Sequence, residues 1–139
     1  GVISGLSLSH GPGHVFRALY EATACGTRHI LEDASAYGME VGRVFIGGGG
    51  AKSALWLQIH ADLLKKPIHL TREIESSALG AAMAASLAAG WYRDFDEAAG
   101  AMVALERLVE PNPANFAVYD DLFARYVEVY RALNGRADT

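Results

Sequence analysis

Four consecutive glycines followed by Ala51, Lys52 and Ser53 are the residues of this 139-residue chain best suited to chemistry. Glycine lacks a Cβ atom, so the backbone of Gly47–Gly50 can adopt positive φ angles and lie close against a ligand. The N–H groups of such a turn, together with those that open a following helix, form a site for an anion such as phosphate. A flexible connector is the alternative, and the glycines alone do not decide between the two.

The residues around the glycines predict a strand before them and a helix after them. Val44–Ile46 is typical of a short buried strand, and a helical pattern then runs from Lys52 or Ser53 to Lys65. Residues 68–70 predict a further strand, and a helix that connects two strands favours their parallel pairing. The predicted core stripe of the helix contains Leu55, Ile59 and Leu63, with Trp56 and Leu64 beside them. The fold class is therefore predicted to be α/β.

A long helix is predicted ahead of this unit. Gly11 is its expected cap, Pro12 suits its first position and Gly38 ends it. Residues 5–8 alternate between apolar and small side chains, which predicts a strand before the helix. The predicted core-facing stripe of the helix contains Val15, Leu19, Ala22, Gly26, Ile30 and Ala34.

Three more helices are predicted towards the C-terminus. Ser76 or Ser77 is the expected cap of the first, which runs to about Ala89 and consists largely of small residues, so that another helix or a nucleotide could pack closely against it. A capping box of Asp94 and Glu97 begins the second, which runs to about residue 104. Residues 109–113 are predicted to form a loop. The last helix has Asn112 as cap, Pro113 at its first position and a core stripe of Phe116, Tyr119, Phe123, Tyr126, Tyr130 and Leu133.

Composition limits the classes of function open to the chain. The residues are 51% hydrophobic and the formal net charge is −4, which argues against a nucleic acid or an anionic membrane as partner. The single cysteine, Cys25, cannot form a disulfide within the chain and fits a reducing cytoplasm. No apolar run reaches the roughly 18 residues of a membrane span. Because residue 1 is glycine and not methionine, we expect a piece of a longer protein.

Several known motifs do not fit. A P-loop needs glycine immediately before Lys-Ser, where this chain has Ala51, and a dinucleotide fingerprint needs a third glycine where it has Lys52 or Ser53. His10 and His14 are four residues apart, but no third ligand is in view, so no metal site is predicted. No serine lies in a Gly-x-Ser-x-Gly elbow, which excludes that type of nucleophile.

Two ordered motifs carry a family resemblance. The first is Gly1–Leu6, followed after seven residues by His14–Glu21. The second is Gly48–Ser53, followed by Ala78–Ala82, with four further matching residues between them: Trp56, Gln58, Ala61 and Asp62. In this order the motifs resemble the C-terminal signature, with Leu19 as its one departure, and the adenosine motif of the FGGY-type carbohydrate kinases. That family belongs to the superfamily of hexokinase, actin and the heat-shock ATPases.

The resemblance implies a helix-rich, ribonuclease-H-like (actin-like ATPase) C-terminal domain with a few short strands, incomplete as a fragment. Residues 1–139 would be the nucleotide-binding portion of a carbohydrate kinase whose sugar-binding N-terminal domain lies outside this chain. The resemblance further implies that the catalytic aspartate precedes the region that matches Gly1, so we expect no catalytic residue and no metal ligand here. The fragment alone is expected to be inactive.

By the same resemblance, six residues would bind the nucleotide. Gly49, Gly50 and Ala51 would approach the α-phosphate and adenosine of ATP or ADP, with Gly48, Lys52 and Ser53 nearby. Mg²⁺ would be bound together with ATP, and the sugar or polyol would reach the site through the missing half. Some relatives, the glycerol kinases among them, have an asparagine near the adenine where this chain has Ala54.

The leading hypothesis is therefore the ATP-binding part of a cytoplasmic kinase that transfers the γ-phosphate to a hydroxyl of a sugar or polyol. The alternative is a non-catalytic nucleotide-binding or scaffold module of the same superfamily. No nucleic-acid or membrane partner is expected under either hypothesis, and a homodimer is open to both.

Overall fold

The elements of the chain follow the predicted alternation of helices and strands. A computed structural model describes residues 1–73 and 75–135. In chain order the elements are α1 (Pro12–Ala36), β1 (Val44–Ile46), α2 (Ala54–Leu64), β2 (Ile68–Thr71), α3 (Ser76–Ala88), α4 (Phe95–Met102), β3 (Leu105–Val109) and α5 (Phe116–Asn134). Among the described helices, none combines the length and apolar character needed to cross a bilayer.

The three strands form one sheet with β2 in the centre. β1 pairs parallel with β2, placing Val44 opposite Ile68, as the connecting helix α2 predicts. β3 pairs antiparallel with β2, placing Val109 opposite the same Ile68. The sequence analysis did not predict β3, because its first four side chains are exposed and give no alternating pattern. The strand forms because the free edge of β2 offers it backbone partners.

Helix α2 lies between two apolar cores. On one side Ile59 and Leu63 pack in a cluster that α1 and α5 complete with Ala24, Cys25, Tyr119 and Phe123. On the other side Leu57, Ala61 and Leu64 pack against Ile68 and Leu70 of β2. The predicted core positions Ile59, Leu63 and Leu64, and the aromatic residues Tyr119 and Phe123, are thereby confirmed.

Other predicted core positions are wrong. Leu19 and Ile30 of α1 are 51% and 69% exposed, whereas the small residues Ala24 and Cys25 are buried. The apolar spacing favoured the larger side chains, but the face of α1 that packs in the core with α2 and α5 has small residues at its centre. Leu55 of α2 is also 49% exposed, because that position points away from both cores.

Several helix ends match their predicted signals. Pro12 begins α1 after Gly11, and the positive φ of Gly38 follows its end. The N–H of Glu97 donates to Asp94 at 2.9 Å and caps α4, which ends at Met102, two residues before the predicted end. The N–H of Ala114 donates to Asn112 at 3.1 Å, capping a short 3-10 turn (Pro113–Asn115) before α5 begins.

Two predicted starts are wrong. α3 begins at Ser76 with Glu75 in the capping position, so neither serine is the cap residue. Residues 5–8 form a bend and a turn instead of a strand. Within the described part of the chain no strand pairs with this segment, and its apolar side chains Leu6 and Leu8 are exposed.

A charged cluster joins the three packed helices. Arg28 of α1 donates to Asp120 of α5 at 2.9 Å, and Lys65, which ends α2 with a φ of 53°, donates to the same carboxylate at 2.7 Å. These hydrogen bonds, first Lys65 and then Arg28, lower the pKa of Asp120. The guanidinium of Arg28 also lies 4.3 Å from the centre of the Phe123 ring. The cluster thus links the second half of α1 and the C-terminal end of α2 to the second turn of α5.

The two-sided burial of α2 gives a direct prediction. Leu63→Ala removes a side chain with no exposure and should lower the free energy of unfolding by about 2–5 kcal/mol. Leu55→Ala makes the same change on the same helix and should cost under about 1 kcal/mol, because half of that side chain is in solvent. Chemical denaturation of both variants measures the difference. Equal losses would contradict the orientation of α2 described above.

Candidate functional site

The glycine turn lies at the carboxyl end of β1, between that strand and α2. Gly48 has φ 76° and ψ −161°, a conformation that favours glycine, and a 3-10 turn spans Gly49–Lys52. The N–H of Ala51 donates to Gly48 at 3.2 Å, and the N–H of Ser53 donates to the carbonyl of Gly50 at 3.1 Å. The predicted order of strand, glycine turn and helix is confirmed.

Ser53 connects the turn to helix α2. Its hydroxyl accepts a hydrogen bond from the N–H of Trp56 at 3.3 Å and so caps the helix. The N–H groups of Ala54 and Leu55 belong to the first turn of α2, where a helix supplies no internal acceptor. The helix dipole adds partial positive charge at this end. These groups and the exposed Lys52 make the turn suitable for an anion.

The glycines of the turn differ in what surrounds them. A Cβ added to Gly48 or Gly49 would meet no atom within 4 Å. A Cβ added to Gly50 would lie 3.0–3.2 Å from three ring atoms of Trp56. Glycine is therefore favoured at position 48 by the positive φ angle, and at position 50 by the nearby indole ring. Neither requirement applies to Gly49, whose open side is free for a ligand.

Trp56 and His60 form a close pair of rings, tilted by 37° to each other, next to the turn. Their ring centroids are 3.6 Å apart, and the indole Nε1 donates to the hydroxyl of Thr23 on α1 at 3.0 Å. His60 Nδ1 donates to the carbonyl of Trp56 at 2.9 Å, because a carbonyl can only accept. Burial lowers the pKa of His60, against the opposing effect of that hydrogen bond. The imidazole is therefore a neutral packing partner at pH 7.

Hydrogen bonds to Asp62 connect the loop before α5 to helix α2. This buried carboxylate accepts hydrogen bonds from the Gln58 side chain, the Asn112 N–H and the Asn115 side chain, each at 2.7 Å. Gln58 also donates to the carbonyl of Glu110 at 3.0 Å. The sequence analysis noted Gln58 and Asp62 only as motif residues. Their i, i+4 spacing on a helix was the available signal for a hydrogen-bonded pair.

Helix α3 leaves most of its small residues exposed. Met83 and Ser86 are buried and mark its packed side, where α4 is its main neighbour. Ala78, Ala81 and Ala82 lie in solvent. The close packing of a further group against this helix remains a prediction.

His10 and His14 lie close together at the start of α1. Their rings are 5.3 Å apart, and each Nδ1 atom already accepts a hydrogen bond, from the N–H of Ser7 and of Gly11 respectively. In residues 1–73 and 75–135, no three side chains of His, Cys, Asp or Glu come together as metal ligands.

Comparison with known proteins assigns the fold and the class. The crystal structure of xylulose kinase from Rhodospirillum rubrum matches with a TM-score of 0.81 at 36% identity, over 95% of this chain and 27% of that one. The chain is 35% identical over 136 residues to the ribulokinase of Bacillus licheniformis. It is 28% identical over 131 residues to the xylulose kinase of Staphylococcus epidermidis. The fold is that of the C-terminal part of a sugar kinase, of the actin-like ATPase type.

A family model describing the C-terminal domain of the FGGY family of carbohydrate kinases matches residues 1–89. The chain therefore belongs to the FGGY family of carbohydrate kinases. The alignments to the Bacillus licheniformis ribulokinase and the Staphylococcus epidermidis xylulose kinase each include 94% of this chain. They include only 25% and 26% of those two proteins. The chain thus spans about a quarter of the relatives that it matches.

The Asp62 interaction can be tested by substitution. Asp62→Ala leaves the donors of Gln58, Asn112 and Asn115 without their carboxylate acceptor and should lower the free energy of unfolding by about 1–3 kcal/mol. The amide of Asn112 should also lose protection from hydrogen exchange. Asp121→Ala removes an exposed carboxylate of α5 and should change neither quantity. Unchanged protection at Asn112 in the Asp62 variant would contradict the assigned role.

Proposed function

We propose that this chain is the nucleotide-binding C-terminal portion of an ATP-dependent kinase that transfers the γ-phosphate of ATP to a hydroxyl of a sugar or polyol. The observation that carries the proposal is the glycine turn between β1 and α2, whose Gly48 and Gly49 have open space on the side where a Cβ would stand. Relatives named ribulokinase and xylulose kinase support the reaction class and make ketopentoses the first sugars to test.

The turn offers suitable groups for the phosphates and adenosine. We assign Gly49, Gly50 and Ala51 to the contact with the α-phosphate and adenosine, with Gly48, Lys52 and Ser53 around them. Support comes from the strand–turn–helix order, since phosphate commonly binds where a glycine turn leads into a helix. The ammonium of Lys52 and the first N–H groups of α2 add charge complementary to phosphate.

The exposed face of α3 fits a role beside the nucleotide. Ala78, Ala81 and Ala82 have side chains short enough to let another group approach the helix backbone closely. Contact between α3 and adenosine would explain why no larger apolar residue occupies this exposed face. Ordinary packing of another part of the complete protein on this face is the alternative.

Catalysis in the complete kinase is assigned to residues outside this chain. Mg²⁺ bound with ATP would neutralise charge on the transferred phosphate, and it commonly takes its ligands from the phosphates, water and one or two carboxylates. This chain would hold the nucleotide, while closure of the two halves would exclude water. We place the complete enzyme in the cytoplasm, without nucleic-acid or membrane partners, and a homodimer is compatible with this proposal.

Gly49→Val tests the nucleotide assignment without disturbing Trp56. In the complete kinase this variant should raise the Kd for Mg-ATP by about tenfold or more, because its side chain fills the open side of the turn. Sugar affinity should stay nearly the same. Isothermal titration calorimetry with each ligand measures both values.

Gly42→Val is the matched control, because Gly42 also has open space and precedes β1 at the end away from the turn. It should leave both affinities unchanged. The assignment is wrong if Gly49→Val binds Mg-ATP as tightly as the unmodified kinase. Gly50→Val is a poorer test, since its side chain would collide with Trp56 whether or not ATP binds.

A further inference from the structure

We propose that Trp56 is a positioning residue that sets the place of the glycine turn for the nucleotide, through direct contact with Gly50 and a hydrogen bond to Thr23 on α1. This inference rests on the proposed nucleotide site. Trp56 is assigned no contact with ATP. Its indole acts on the turn through Gly50.

The space between Gly50 and Trp56 is tight for any residue that carries a Cβ, so that the indole or the turn would have to shift by a few tenths of an ångström. The Cβ position of Gly50 is 3.0 Å from Cζ3, 3.1 Å from Cη2 and 3.2 Å from Cε3 of the indole. Gly50 is not among the glycines with positive φ, so its conformation does not require glycine. The turn therefore passes directly against the indole ring at Gly50, and we expect the position of the ring to set that of the turn.

The indole itself is fixed on several sides. Its Nε1 donates to Thr23 at 3.0 Å, and the Thr23 hydroxyl donates its own proton to the carbonyl of Tyr20 at 2.7 Å. The hydroxyl is thereby oriented as an acceptor for the indole. The ring also packs against the imidazole of His60, whose Nδ1 donates a hydrogen bond to the Trp56 carbonyl. The position of the indole is thus determined by α1 and by the second turn of α2.

The turn is joined to β1 and α2 and Ala51 packs against the core beside the sheet, and the indole of Trp56 adds a hydrogen-bonded link to α1. The hydrogen bonds of Ala51 and Ser53 close the turn on itself and do not connect it to another element. Loss of the hydrogen bond between the Trp56 indole and Thr23 should leave α2 capped by Ser53 but allow the turn to move relative to α1. Misplacement of bound phosphate by about 1 Å is enough to slow transfer strongly. ATP affinity and turnover should therefore fall together, while sugar affinity stays the same.

A pair of threonine variants of the complete kinase tests the hydrogen bond. Thr23→Val keeps the branched shape but removes the acceptor for Trp56, and we expect a roughly three- to tenfold higher KM for ATP with a lower kcat and an unchanged KM for the sugar. Thr27→Val is the matched control, because Thr27 donates to the Thr23 carbonyl at 3.1 Å one turn further along α1. It should leave all three constants unchanged.

A double-mutant cycle tests the ring contact and separates it from general loss of stability. Gly50→Ala places a Cβ against the indole and should raise the KM for ATP about tenfold, whereas the same change in a Trp56→Leu background should cost little, because the ring is gone. Additive effects of the two substitutions would overturn the proposal, as would equal effects of Thr23→Val and Thr27→Val.

The variants of Gly49 and Thr23 distinguish the nucleotide site from the positioning role of Trp56. If Gly49→Val weakens ATP binding but the Thr23 variant and the cycle show no coupling, the nucleotide site stands and the positioning role of Trp56 is wrong. If Gly49→Val has no effect on ATP binding, the site assignment fails, and the positioning role fails with it.

Discussion

The burial of helix α2 on two opposite sides is the constraint on which the rest of the structure depends. Ile59 and Leu63 are buried against α1 and α5, while Leu57 and Leu64 are buried against the sheet. A helix held between two apolar cores can neither rotate nor slide without exposing one of them. Its first residue is therefore fixed in space, and with it the glycine turn that Ser53 joins to the helix.

Two buried polar residues in the second half of the same helix give it directed connections to different neighbours. The imidazole of His60 supports Trp56 near the glycine turn, and Asp62 holds the loop that begins α5. A buried polar group stabilises a fold only when it is hydrogen-bonded, so each of these residues favours one arrangement of its neighbours. The candidate site is thus built from α1, β1 and α2 together, and not from the glycines alone.

The order β1, glycine turn, α2 and β2 could be predicted because its signals are local: an apolar run, four glycines, a serine cap and a parallel crossover. β3 could not, since its exposed side chains carry no pattern and its pairing with β2 joins distant residues. On α1 the spacing of the larger apolar residues favoured Leu19 and Ile30, which are exposed, whereas the smaller Ala24 and Cys25 are buried. A glycine in the sequence also does not show what occupies the space beside its Cα atom. At Gly50 that space is taken by the indole ring of Trp56 and not left open for a ligand.

A crystal structure of the complete kinase with a non-hydrolysable ATP analogue tests the central claim most directly. The α-phosphate should lie within hydrogen-bond distance, about 3 Å, of backbone nitrogen atoms in Gly49–Ala51. The indole of Trp56 should remain against Gly50 and bonded to Thr23. A nucleotide bound at another place, with the glycine turn facing only solvent, would contradict the account.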